Sequence, residues 1–430
     1  MGSVAKLITQ SIVWRGLYYL SNFFLTITIA RHFQAATSGD LFYITNNCAF
    51  VVLLMSLSFE AAIVFFGSNN SIEKRKLFWI AHLIVIVASV LLGVFFILSK
   101  SFFLDSGYNL EYRNVFLFIT GNLVANFMAG FYFADKNFAV PNLVSVIINS
   151  LLLILLSFTL EGAWLNNSRF LQFYFSSFFI QGITLALILI LSKKEFWRIG
   201  FFSKEDIAKV YHYLSLVFIG NIITFFCYRL DYWFVKYYCS ANELGNYIQV
   251  SKLVQLFFVL PSILATVLFP LASGGEQNKV REIIPFLTRF VFITYALTSL
   301  VLSIIGSWLF PFVFGESFSL MYKCFLFYIP GVLGFSALYT FTAYYSGRNK
   351  VIINLKGCAI GLCVAVIGDI VFVPRYGING AACVSSLAYL FYFAFVLRVF
   401  MKEFGLSLKD FFFFKKKDWI QFVNTKKKVR

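Results

Sequence analysis

Eleven of the chain's 36 Lys and Arg residues sit inside, or at the rim of, long apolar stretches. They are Arg15, Arg31, Arg113, Arg169, Arg229, Lys236, Lys252, Arg289, Lys323, Lys356 and Arg398. A cation at the centre of a bilayer-spanning helix costs about 2.5–3.5 kcal/mol on insertion scales. A chain that keeps several needs a polar cavity and something anionic to hold there. Arg15 lies roughly 12–14 Å into the first apolar stretch at 1.5 Å per residue, too deep to snorkel easily. Arg229 stands towards the outer end of the seventh stretch. Lys252 enters the eighth and Lys356 the eleventh, from opposite sides, and Arg289 enters the ninth. These five are the candidates for holding a phosphate-like anion. The other six lie near stretch edges, where snorkelling explains them.

Three acids are embedded as well: Glu60, Asp231 and Asp369. An acid in a polar cavity can hold a proton or Na⁺, or balance a nearby cation. Arg229 and Asp231, two apart on a helix, point to different faces, so each needs a partner from elsewhere. No catalytic constellation and no nucleotide-binding Gly-rich loop is present. The histidines His32, His82 and His212 are isolated, and none of the seven cysteines forms a CxxC pair, so no metal site or other cofactor is expected.

The elements that must position these residues are membrane spans. The chain has 430 residues, is 60% hydrophobic with 57 Phe, and only 13% charged; its mean hydropathy is +0.81. Backbone groups in lipid must be satisfied internally, and apolar runs of about 20–30 residues fit helices rather than barrel strands. Twelve spans are predicted, at roughly 7–33, 41–66, 77–99, 112–134, 140–160, 169–192, 210–237, 246–271, 283–314, 322–346, 351–373 and 378–401. The N-terminal stretch is too long and too charged for a cleavable signal. Five prolines, Pro261, Pro270, Pro285, Pro311 and Pro330, fall in or beside spans of the second half, and Pro261 is placed to bend the eighth.

With twelve spans, 23 Lys and Arg fall on one side and only Lys100 and Arg375 on the other. That bias puts both termini in the cytoplasm. It also explains the net charge of +17 without nucleic acid. The expected organisation is an all-α lobe at 1–192, a cytoplasmic linker at 193–209, a second six-helix lobe at 210–401 and a basic tail at 402–430. Two echoes support a parallel repeat. Lys136-Asn137 with Asn142-Leu143 matches Arg348-Asn349 with Asn354-Leu355, and Gly39-Asp40 matches Gly245-Asn246. Two such lobes around a central cationic cavity are transporter architecture, with alternating access as the expected motion.

Several motifs carry a resemblance. They are Asp231-Tyr232-Trp233, Gly245-Asn246-Tyr247, Ser251-Lys252-Leu253, Leu260-Pro261 and Phe269-Pro270, then Phe314-Gly315-Glu316-Ser317-Phe318 and Tyr376-Gly377-Ile378-Asn379-Gly380-Ala381-Ala382. In this order, with twelve spans, the chain resembles the Wzx-type polysaccharide flippases of the multidrug/oligosaccharidyl-lipid/polysaccharide (MOP) exporter superfamily. The resemblance implies a MATE-like pair of six-helix lobes in the bacterial inner membrane. It implies translocation of an undecaprenyl-pyrophosphate-linked oligosaccharide, an O-antigen or capsule unit, from the cytoplasmic to the periplasmic leaflet. A polysaccharide polymerase and a chain-length regulator are the partners it suggests in lipopolysaccharide biosynthesis. The related MurJ-type flippases use an Arg in the first span and another in the eighth. Arg15 and Lys252 occupy comparable places, the second as a point charge rather than a bidentate fork. The chain has no counterpart of that group's two additional C-terminal spans, which favours the Wzx-type branch.

The physical logic runs the same way. Pyrophosphate and sugars cannot cross hydrocarbon, whereas the polyprenyl tail can stay in it. Cations would replace water around the phosphates, and some of the Tyr, Trp and Asn side chains could stack on or bond to sugar rings. Two alternatives stay open. A drug or cation exporter of the same superfamily would favour acids over bases in its cavity. A membrane polysaccharide polymerase would need a long outward loop, which is not seen. A transporter rather than an enzyme is therefore expected.

Overall fold

The computed structural model describes residues 2–98, 112–160, 167–273 and 277–412. Lys100 and the basic tail beyond residue 412 lie outside the described residues. Among the described residues the fold is all helical, with fourteen α-helices, two short 3-10 turns and no strand.

Ten stretches are long and apolar enough to cross a membrane, and two of them each contain two spans. Helix α1 (Gly2–Ser56) runs the first span into the second across one non-helical residue, Gln34, at φ 60°, ψ 178°. Helix α13 (Val351–Phe404) runs the eleventh into the twelfth across Gly377, at φ 56°, ψ −140°. That backbone conformation explains why the Tyr376-Gly377 motif needs a glycine. Counted this way, all twelve expected spans are present, and the chain is a multi-pass membrane protein.

Two spans differ from the expectation by being broken. The second stops at Ser56, passes Leu57 and Ser58 at φ 49° and 59°, and restarts as α2 (Phe59–Ser68). The freed amide of Ser58 is taken by the Ser56 hydroxyl at 3.1 Å, and Asn221 donates to the Ser58 hydroxyl at 3.0 Å. The eighth span divides into α9 (Ala241–Leu256) and α10 (Val259–Ser273). Pro261 sits in the first turn of α10, where a missing N–H costs nothing. It gives the carbonyl of Phe257 no donor, and the helix tightens there through 3-10 bonds.

The chain forms two compact units. The first holds residues up to Gln34 together with Asp40–Ile222. Its central helix is α4 (Tyr112–Ala134), largely buried, which packs on α2, on α3 (Lys74–Leu98) and on α6 (Asn167–Ser192). Helix α5 (Ala139–Leu160) packs on α6. After α6 the chain makes a 3-10 turn whose Phe196 is buried against Phe78 and Phe131, with ring centroids 4.7 and 5.5 Å away. Polar bonds close this edge. Asp135 takes Lys74 at 2.6 Å and also Lys193, and Asp206 takes Lys76 at 3.0 Å. Partial burial works to raise the Asp135 carboxyl, but the two lysines outweigh it and hold the group below its ordinary value.

The second unit holds residues 35–39 and the chain from Ile223 on. Its central helix is α12 (Met321–Gly347), also largely buried, packed on α10, α11 (Gln277–Phe314) and α13. The fourth and tenth spans thus hold equivalent central places in their units.

The first sequence echo has a structural counterpart. After α4, Asn137 N–H bonds Tyr132 C=O and Lys136 N–H bonds Phe133 C=O. After α12, Lys350 N–H bonds Tyr345 C=O and Asn349 N–H bonds Ser346 C=O. These are the same helix-ending motif, with Lys136 and Asn349 both left-handed at φ 60° and 56°. The structural match is therefore displaced by one residue from the match of letters. The glycines of the looser echo touch each other. A Cβ on Gly245 would lie 1.8 Å from the Ala35 carbonyl oxygen, and one on Gly39 would lie 2.5 Å from Gly245 Cα.

Candidate functional site

The seventh span runs as α7 (Lys204–Arg229) through Leu230, whose backbone stays helical at φ −60°, ψ −38°, into α8 (Asp231–Tyr238). This short join sends Arg229 and Asp231 to different neighbours. The Arg229 guanidinium donates to the Tyr232 hydroxyl and, at 3.0 Å, to Gln255 Oε1. It also lies 5.1 Å from the centre of the Tyr232 ring. All of these partners are neutral. Lys252 stands one turn before Gln255 on α9, half-buried and within electrostatic reach of Arg229. Two cations predicted from the sequence are thus brought together, with no carboxylate among the hydrogen-bond partners of Arg229.

Asp231 belongs to a different cluster. Its Oδ2 accepts from the Tyr247 hydroxyl at 2.5 Å and from Ser385 at 3.0 Å, and Tyr328 donates to Tyr247 at 2.7 Å. Asp231 Oδ1 is buried with no hydrogen-bond partner. Asp369, on α13, is wholly buried, and neither of its carboxylate oxygens has a partner. The two acids and Tyr247 lie within electrostatic reach of one another. Three open carboxylate oxygens beside hydroxyls form a hard oxygen site, suited to a proton or a small cation.

The other predicted residues go elsewhere. Arg15, in the first unit, is half-buried, with its guanidinium 5.4 and 5.8 Å from the ring centres of Phe138 and Phe133. It makes no hydrogen bond or ion pair among the described residues. Glu60, also in the first unit, occupies the first turn of α2 with Oε2 buried and unpartnered. Arg289 stands on α11. It is 4% exposed and donates to the backbone carbonyl of Asp410, tying α14 (Lys409–Phe412) to α11, so its charge caps a short helix. Lys356 is exposed and makes no hydrogen bond or ion pair among the described residues. The six edge cations, Arg31, Arg113, Arg169, Lys236, Lys323 and Arg398, are all exposed.

Sequence reading missed Gln255, Tyr328 and Ser385 as partners. Gln255 had a signal, since it lies one turn from Lys252 inside an apolar span. Tyr328 and Ser385 had none beyond their type.

The family model described as "Polysaccharide biosynthesis protein" matches residues 5–275. The chain belongs to that family. This agrees with the resemblance carried by the motifs. Solved structures share the fold. A lipid II flippase MurJ in an inward closed conformation is 14% identical, with a TM-score of 0.74 over 93% of this chain and 88% of that one. An inward-facing multidrug resistance MATE family transporter of the MOP superfamily is 11% identical, with a TM-score of 0.67 over 92% and 99%. The Vibrio cholerae MATE transporter VcmN, in its bent form, is 12% identical, with a TM-score of 0.61 over 96% and 100%. A search of curated proteins found no match.

Proposed function

We propose that the protein is a flippase of the bacterial inner membrane. It moves an undecaprenyl-pyrophosphate-linked oligosaccharide, an O-antigen or capsule repeat unit, from the cytoplasmic to the periplasmic leaflet by alternating access. It performs no covalent chemistry, and its product feeds a polymerase and its chain-length regulator.

The observation that carries this reading is the pairing of Arg229 with Lys252. Two like charges held together in a span repel each other and are costly to desolvate. A pyrophosphate relieves both costs. Arg229 offers a planar fork already oriented by Tyr232 and Gln255, and Lys252 offers a point charge. Arg15, poised over aromatic faces without an acceptor among the described residues, is a second anion-binding point in the first unit.

Asp231 and Asp369 are the ion-coupling site in this reading, binding H⁺ or Na⁺. Because Asp231 follows Arg229 by two residues, ion occupancy and pyrophosphate occupancy act on the same helix join. A cation exporter is the second reading, favoured by the same two acids.

The test is genetic. Arg229→Ala or Lys252→Ala replaces the wild-type protein in the parent cell, and surface polysaccharide is measured at matched protein abundance. Loss of polymer is expected. Normal polymer would remove the pair from the mechanism. Uptake of cationic drugs by the purified protein, with no response to lipid-linked sugar, would favour the exporter.

A further inference from the structure

The second unit contains a cavity of about 160 Å³ whose lining carries no charge. Its decisive residues are Thr224, Tyr228, Phe335, Tyr339, Asn354 and Tyr392. Phe335 is the hub of an aromatic wall, with ring centroids 5.3 Å from Tyr228, 5.8 Å from Tyr339 and 6.0 Å from Tyr392. The Asn354 amide nitrogen donates to the Thr342 carbonyl and to the Ser346 hydroxyl, both at 3.0 Å. Those two bonds fix the amide and leave its Oδ1 buried without a donor. An unsatisfied buried acceptor costs about 1–3 kcal/mol, and a native structure that keeps one calls for a missing partner.

The lining selects the ligand by chemistry. A cationic ligand would call for an acid, and a phosphate would call for a base. Aromatic faces, hydroxyls and a free amide oxygen suit a carbohydrate ring, whose C–H face stacks and whose hydroxyls donate. The volume is well below the roughly 300–1,000 Å³ of a site that holds a whole ligand, so one ring of a longer chain fits. Position narrows the choice further. Tyr228, in the wall, immediately precedes Arg229, so the cavity adjoins the proposed pyrophosphate site.

Resting on the flippase reading above, we propose that this cavity seats the sugar bonded directly to the pyrophosphate. Asn354 Oδ1 accepts one of its hydroxyls, and the tyrosine wall faces the ring. The anchored first sugar and the pyrophosphate are then read as one unit, whatever residues the rest of the oligosaccharide contains.

The experiment compares two probes on the full-length protein purified in detergent. They are undecaprenyl pyrophosphate and undecaprenyl pyrophosphate bearing one N-acetylhexosamine. Wild type is expected to bind the sugar-bearing lipid about tenfold more tightly, the scale of one or two satisfied hydrogen bonds. Asn354→Ala is expected to erase that preference while leaving the affinity for the bare lipid unchanged. Thr342→Phe fills the cavity but keeps the carbonyl that holds Asn354, and should do the same, so the test survives if one variant fails to fold. Arg229→Ala is expected to weaken both lipids equally. Equal affinity of wild type for the two lipids overturns the subsite alone. So does equal weakening of both lipids in cavity variants that melt like wild type. Wild type that binds neither lipid overturns the flippase reading, and the subsite with it.

Discussion

Arg229 and Asp231 are two residues apart, yet they live in opposite chemical settings. The arginine gives its hydrogen bonds to a tyrosine hydroxyl and a glutamine oxygen, and both Lys252 and Asp231 lie within electrostatic reach of it. The aspartate has two hydroxyl donors on one oxygen and an open second oxygen, with Asp369 as well as Arg229 within electrostatic reach. Direct pairing of the two would have cancelled both charges and left nothing to bind. Two residues apart along a helical backbone, they point to different faces and make no direct bond. On the proposed reading, one helical stretch presents an anion site and a cation site on different faces. Helix α9 serves both sites, through Lys252 and Gln255 on one side and Tyr247 on the other.

The largest expected effect comes from disturbing α9 itself. Gly245→Ala places a Cβ 1.8 Å from the Ala35 carbonyl oxygen, a clash with backbone that cannot be turned aside. A loss on the order of 3–5 kcal/mol is expected, in the severe class of point mutations. Folded yield and melting temperature in detergent check it, and a wild-type yield would mean that the close approach is not required.

A smaller change should break one side of the comparison and spare the other. Arg229→Ala removes charge-assisted bonds worth about 1.5–3 kcal/mol, so pyrophosphate-lipid affinity should fall roughly 10- to 100-fold. Binding of the coupling ion to the acid pair should persist, read by protection against melting on titration with Na⁺ or H⁺. Loss of both responses would show that the two clusters are one site.

The reciprocal change is milder in binding. Asp369→Asn keeps the shape and removes one of the facing charges. Dependence of transport on a pH or Na⁺ gradient should disappear, while pyrophosphate-lipid affinity changes by less than about threefold, within the scatter of a non-contacting substitution. Retained gradient dependence would take Asp369 out of the coupling site.

The smallest effect belongs to a residue outside both clusters. The Asp135 carboxyl is held below its ordinary value by Lys74 and Lys193, so its stabilisation is present at neutral pH and lost as pH falls through the lowered value. Asp135→Asn should therefore melt slightly lower than wild type at neutral pH. The difference is about 1 kcal/mol or less for a partly exposed pair screened by solvent, and it should vanish in acid. Substrate binding should not change.

The sequence made the spans, the family and the division of cations legible because each rests on local pattern. Apolar length sets the spans, and distance from a span edge separates the six exposed anchors from Arg15, Arg229 and Lys252. Gly377 stood in the sequence only as part of a motif of the resemblance; that its backbone needs φ 56° is a finding of the structure. What stayed hidden depends on residues far apart in the chain. Arg289 reads by sequence as a candidate for the cavity, but its acceptor is the carbonyl of Asp410, 121 residues on. The break at Leu57 and Ser58 has no glycine or proline to announce it, and Asn221 helps to hold it from 163 residues away. The open oxygens of Asp369 and Asn354 are likewise facts of packing, since the sequence shows that a polar group is present but not that its partners are missing.

The most direct measurement is reconstituted translocation. Wild type and Arg229→Ala are placed in proteoliposomes carrying a fluorescent undecaprenyl-pyrophosphate-linked oligosaccharide, and movement between leaflets is followed by quenching from outside. Wild type should exchange the lipid between leaflets, and Arg229→Ala at equal incorporation should fall to the rate of protein-free vesicles. Equal exchange by the two proteins would contradict a pyrophosphate site at Arg229 and Lys252.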